Sequence, residues 1–154
     1  MKGHPEVIDK LNELLIEELT AINQYFLHAE MCGDWGYERL HELIEKRSRQ
    51  EMKHAEVLME RILFLEGMPI VSQLNKITIG ETVMKQLEND QKAEQDAVKM
   101  YNDAVALTSK LGDNGSKVLV ESILTDEEEH LDWIEEQLDQ IDQMGYQNYL
   151  NNQV

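Results

Sequence analysis

The sequence predicts an all-α fold: a four-helix bundle with one long crossover between helices two and three, and a short C-terminal fifth helix. Three observations lead there. Only two prolines, Pro5 and Pro69, interrupt 154 residues rich in Leu, Glu, Lys and Gln, a composition that favours long helices. Apolar residues recur at steps of three and four through four long segments. One intervening stretch, Gly67 to Gly80, lacks that period.

The first helix is expected from about Pro5, suited to a first helical position, to Met31, with Leu11, Leu15, Glu18, Ile22 and Tyr25 on one stripe. Cys32 to Gly36 reads as a short turn, so the second helix packs antiparallel. That helix runs from about Tyr37 to Glu66, with a stripe of Leu40, Ile44, Arg47, Glu51, His54, Leu58, Ile62 and Leu65. The Gly67–Gly80 connection, fully extended, reaches roughly 45 Å. A helix of about 28 residues is roughly 42 Å long. The connection can therefore return along the bundle and leave helices two and three parallel.

The third helix spans about Glu81 to Leu111, with Val83, Leu87, Asp90, Glu94, Ala97 and Tyr101 on its stripe. Gly112 to Ser116 combines stop, turn and N-cap signals. The fourth helix runs from about Ser116 to Met144, with Val120, Ile123, Glu127, His130, Ile134, Leu138 and Ile141 on one face. Gly145 ends it, and Tyr146 to Asn152 forms the fifth helix. Two antiparallel pairs joined by one long crossover is the ferritin-like bundle topology.

The net charge of −17 argues against nucleic acid and suits a protein that collects cations, although a merely soluble surface gives the same number. Cys32 is the only cysteine, so no internal disulfide forms, and a cytoplasmic location is the expectation. The N-terminal residues carry charge and Pro5 ahead of no apolar run, so neither a secretory signal nor a membrane span is expected.

Four carboxylates interrupt the apolar stripes, one per helix: Glu18, Glu51, Glu94 and Glu127. Burying one unpaired carboxylate is costly, so four demand a common partner. Two are followed three residues later by histidine, His54 and His130, on the same helix face. The spacing repeats: Glu18 to Glu51 and Glu94 to Glu127 are each 33 residues, and Glu18 to Glu94, Glu51 to Glu127 and His54 to His130 are each 76. Two equivalent helical hairpins around a pseudo-twofold axis give such numbers. The general template for di-iron and di-manganese carboxylate bundles is this same constellation. Four carboxylates and two neutral imidazoles balance two divalent metals, and oxygen-rich ligation suits iron or manganese better than structural zinc. Two iron ions per subunit make ferrous oxidation the minimal activity. Tyr25 and Tyr101 share the stripes. Each reads either as a packed core tyrosine or as an auxiliary partner of a ligand.

Met52 lies between Glu51 and His54 in sequence but points away from them, with Glu45, Arg49, Glu56, Met59 and Leu63, on a face expected to meet another subunit. On its own this reads as an interface methionine.

Over nearly its whole length the chain resembles the bacterioferritins. The matching runs are Met1-Lys2-Gly3, Ala21 to His28, Glu51-Met52-Lys53-His54-Ala55, Arg61 to Gly67, and Asp126-Glu127-Glu128 through His130. The resemblance implies ferroxidase activity with O2 or H2O2, and a homo-oligomeric shell of 24 subunits, built from twofold dimers, that stores a ferric mineral. It implies haem b shared between two subunits with Met52 as the axial ligand from each, and a small ferredoxin that delivers electrons for iron release. It places Asp34, Glu66, Asp132 and Asp139 at iron-entry pores, although surface acids are ordinarily just solvated. The chain departs from the family at Lys46-Arg47-Ser48-Arg49-Gln50, where the family usually has acids at 47 and 50 and an apolar residue at 49. Arg47 is a candidate partner for Glu51, and Arg49 for a haem propionate. His4, His28 and His41 read as surface or packing histidines.

Two other function classes stay open on sequence. One is a rubrerythrin-like peroxide reductase, against which the chain lacks a Cys-x-x-Cys pair. The other is a haem-binding electron-transfer protein with an idle di-iron site.

Overall fold

The computed structural model describes residues 1–154 as five helices: α1 (Pro5–Asp34), α2 (Glu38–Phe64), α3 (Val83–Lys110), α4 (Asn114–Met144) and α5 (Tyr146–Asn151). There is no strand, and the architecture is the predicted ferritin-like bundle with its short fifth helix. Contacts between helices fix their directions. Gly3, Ile22 and Ala29 of the first segment meet Leu65, Ser48 and His41 in turn, so α1 and α2 are antiparallel. Tyr101, Tyr25's partner Glu94, and Gln86 meet Glu18, Tyr25 and Cys32, so α3 is antiparallel to α1 and parallel to α2. Gln50 and His54 meet His130 and Asp126, so α4 runs against α2.

The stripe residues form two apolar clusters, one at each end of the bundle. Leu11, Leu15, Leu58, Ile62, Tyr101, Val120 and Ile123 belong to the first. Tyr25, Leu40, Ile44, Val83, Leu87, Ile141 and Tyr149 belong to the second. Between them lies a buried polar layer, described below. Met59, expected on the outer face, packs half-buried against the first cluster.

Helix boundaries differ from expectation by a few residues. α1 continues through Cys32 to Asp34, because the buried Cys32 thiol packs inward and donates to Gln86 at 3.3 Å. The cap of α4 is Asp113 rather than Ser116. Its carboxylate accepts from the Ser116 amide at 3.0 Å and its hydroxyl at 2.7 Å, and Arg61 of α2 ties to both residues. Thr82 caps α3, accepting from the Lys85 amide at 3.1 Å.

The crossover explains a set of buried polar residues that the stripes did not reveal. With no neighbouring strand, its amides need other acceptors. Asn12, Thr20, Gln24 and His28, on one side of α1, accept from the amides of Ile70, Asn75, Thr78 and Gly80 respectively. Both series ascend together, so the crossover runs parallel to α1 and delivers the chain to the start of α3. The 16-residue step from Asn12 to His28 is about 24 Å of helix, so the segment need not be fully extended. It ends at Gly80, where a side chain would meet the Gln86 amide at 2.3 Å. His28 is therefore a packing histidine: its Nε2 accepts from Gly80, which leaves Nδ1 to face Asp90 at 2.9 Å.

Candidate metal centre

The polar layer brings together all six residues singled out by spacing. Glu18 comes from α1, Glu51 and His54 from α2, Glu94 from α3, and Glu127 and His130 from α4, and none is more than 4 % exposed. They divide into two overlapping groups, Glu18–Glu51–His54–Glu127 and Glu51–Glu94–Glu127–His130, each with ligand atoms within 4.8 Å of one another. Glu51 and Glu127 belong to both groups. Glu18 with His54, and Glu94 with His130, each belong to one. Two cations could thus sit side by side, sharing two carboxylates, each with one further carboxylate and one imidazole.

The surroundings repeat the same symmetry. Tyr25 donates to Glu94 at 2.6 Å and Tyr101 donates to Glu18, again 76 residues apart. The rings of His54 and His130 lie nearly parallel, 24° apart, with centroids 6.1 Å from each other. Each ring is held from behind by the opposite helix. Nε2–H of His54 donates to Asp126 of α4, and Nε2–H of His130 donates to Gln50 of α2, both at 2.8 Å. The contacting atoms, Oδ2 of Asp126 and Oε1 of Gln50, are acceptors, so Nε2 carries the proton and Nδ1 faces the carboxylates.

That facing creates the need for a cation. His54 Nδ1 lies 2.9 Å from Glu127 and 3.5 Å from both Glu18 and Glu51. His130 Nδ1 lies 2.9 Å from Glu51 and 3.5 Å from Glu94. A lone pair facing carboxylate oxygens at such distances is repulsive unless a cation stands between them. Eight buried side-chain atoms in the whole chain lack a hydrogen-bond partner, and six are in this layer, one from each of the six residues. Buried polar atoms are otherwise almost always satisfied, so the donor set fits a pair of divalent metals.

Without metal, protons take over that role. Burial first, and then the charge of Glu51, hold the carboxyls of Glu18 and Glu127 well above the usual carboxylate range. Burial also works against Glu51, but contacts with Glu18, His130 and His54 keep it ionised and well below that range. Burial opposes charge on His54, yet Glu127, Glu18 and Glu51 raise its pKa far above an ordinary imidazole's. His130 is raised likewise, against burial, by Glu51 and Glu94. Burial and the neighbouring acids push Tyr25 and Tyr101 up, so both stay phenols that donate.

An opening between α1 and α3, lined by Glu17, Ala21, Ala93 and Ala97, reaches Glu18, Glu51, Glu94 and Glu127. Outside it, a groove of about 610 Å³ lies beneath Asn75 and Thr78 of the crossover. Met52 is 58 % exposed, away from the layer, as its helical angle requires. Asp34, Glu66, Asp132 and Asp139 are all exposed. One sequence expectation fails. Arg47 does not pair with Glu51 but lies over the Trp133 ring, 5.6 Å from its centroid. Arg49 is engaged by Glu45 at 2.6 Å, a pairing one turn back on its own helix. Sequence reasoning also missed Gln50 and Asp126. The signal was present, since they precede Glu51 and Glu127 and are themselves 76 residues apart.

Comparison with known proteins agrees with this geometry. A ferritin-like domain model matches residues 8–144. The chain is 44% identical to "Bacterioferritin" of Brucella melitensis, over 97% of this chain and 92% of that one. It is 41% identical to "Bacterioferritin BfrA" of Mycobacterium tuberculosis, over 97% and 94%. It is 42% identical to "Bacterial ferritin" of Synechocystis sp., over 100% and 99%. With a matching fold, a full-length family match and relatives of this identity, the chain belongs to the bacterioferritins of the ferritin-like family.

Proposed function

We propose that the chain, acting as one ferritin-like di-iron domain over residues 1–154, is an iron-storage ferroxidase. The observation that carries this reading is the set of six buried, unsatisfied ligand atoms, one from each of Glu18, Glu51, His54, Glu94, Glu127 and His130. Two ferrous ions held there supply two electrons to one oxidant, and with two protons these convert O2 to H2O2, or H2O2 to two waters. The residues do the rest. Glu51 and Glu127 set the spacing of the two ions, Tyr101 and Tyr25 orient Glu18 and Glu94, and Asp126 and Gln50 fix the imidazoles. The apolar clusters above and below exclude bulk water. Ferrous ions reach the layer through the Glu17–Ala21–Ala93–Ala97 opening.

Storage needs enclosure, so the chain assembles as a homo-oligomer of 24 subunits from twofold dimers, with Asp34, Glu66, Asp132 and Asp139 at entry pores. The exposed apolar side chains of Phe26, Leu27, Leu63, Phe64 and Met68 support burial against other subunits. Met52, on an exposed face, suits a twofold interface at which one methionine from each subunit binds haem b. A small ferredoxin would reduce that haem for iron release. No helix is long and apolar enough to cross a membrane. The setting proposed is the cytoplasm. Ferrous oxidation followed optically, together with particle size by light scattering, tests the reading. Rapid oxidation by a particle of 24 subunits is expected, and a monomer with no oxidation would overturn it.

A further inference from the structure

The two halves of the metal layer are related by the 76-residue repeat in every ligand and in both tyrosines. They differ in what stands behind the histidines. Behind His54 is a carboxylate, Asp126, at 2.8 Å. Behind His130, at the equivalent position and the same distance, is the neutral amide of Gln50. A second difference reinforces the first. Arg47, held over Trp133, places a positive charge where it opposes positive charge at His130. One half therefore gains a negative charge and the other a positive one.

We propose that the two metal positions are unequal: the position of Glu18 and His54 takes a divalent cation first and holds it more tightly, and the position of Glu94 and His130 is weaker and exchanges. This inference rests on the reading of the layer as a two-metal site. The physical cause is twofold. A carboxylate accepting the Nε2 proton makes the opposite nitrogen a better donor to a metal, whereas an amide does so less. The added charges act over short distances in a buried layer, where screening by salt is weak. Gln50 and Asp126 are thus positioning residues that act through the imidazoles, touching neither metal nor oxidant.

The test uses the assembled, metal-free protein and Co2+, which binds such sites without being readily oxidised. Repulsion between adjacent dications splits even identical positions into two binding steps, so a two-step isotherm does not decide; which position fills does. Crystals given one Co2+ per subunit should show an anomalous peak beside Glu18 and His54. Calorimetry should give two steps separated by at least about tenfold, the lower end of what such outer partners contribute. Gln50→Asp should tighten the weaker step by about tenfold. Asp at the equivalent position already reaches its histidine, so the geometry allows it. Asp126→Asn should weaken the tighter step and erase the preference in the crystal. Equal peaks, or a first peak beside Glu94 and His130, would overturn the inference, as would a Gln50→Asp variant that binds two ions with its weaker step unmoved. Absence of Co2+ from both positions would overturn the two-metal reading as well.

Discussion

Tyr25 donates a 2.6 Å hydrogen bond to Oε1 of Glu94 across the buried contact of α1 and α3, and so orients a carboxylate whose same oxygen lies 3.5 Å from Nδ1 of His130. The other oxygen, Oε2, has no partner and is left for a cation. Tyr25→Phe should leave the fold intact, because only a hydroxyl is lost. It should weaken metal binding on the His130 side by about tenfold, in the range for loss of an outer partner. Titration calorimetry with Co2+ checks this. An unchanged isotherm would make Tyr25 a packing residue only.

Glu127 and Glu18 are both buried carboxylates of the layer, but only Glu127 belongs to both groups of ligands. Glu18→Ala should therefore retain about one metal per subunit. Glu127→Ala should lose tight binding of the pair and slow initial ferrous oxidation by more than about 100-fold, the upper range for loss of a mere outer partner. Stopped-flow oxidation and metal counting on both variants would show the contrast.

Metal binding should release protons. Glu18, Glu127, His54 and His130 all have raised pKa values in the metal-free fold, so each tends to hold a proton that a cation must displace. Glu51, lowered, holds none to displace. Affinity should then rise with pH above the ordinary carboxylate value of 4.5. The sign for folding is opposite. Raised groups stabilise the metal-free fold most at pH below their unfolded values, and that stability is lost as pH rises toward their folded values. Calorimetry in buffers of different ionisation heat, and melting of the metal-free protein across pH, check both signs.

Met52 is exposed on the face opposite the layer, so the two sites should be separable. Met52→Leu should assemble, lose stoichiometric haem, keep its initial rate of ferrous oxidation, and release iron poorly under reduction. Visible spectra and oxidation kinetics on the same sample test this. Normal haem content would remove Met52 as the ligand.

The ligand set was legible because burial leaves a strong mark in a helical pattern. A glutamate at a core position breaks an apolar stripe, and four such breaks with equal spacing identify one another. The crossover's anchors were not legible. Asn12, Thr20, Gln24 and His28 sit beside the stripe, where polar residues ordinarily face water, and only the folded crossover shows that they bind its amides. Arg47 illustrates the opposite error. Its place on the α2 stripe suggested an ion pair with Glu51, but a guanidinium can lie over an aromatic face on a neighbouring helix instead, and Trp133 provides one.

The most direct test of the account is an anomalous-scattering map, at the iron edge, of a crystal soaked in excess ferrous ion without oxygen. Two peaks are expected per subunit, roughly 3.5–4 Å apart, with Glu51 and Glu127 reaching both, Glu18 and His54 one, and Glu94 and His130 the other. A layer free of iron, with the six side chains closed on one another through protons alone, would contradict it.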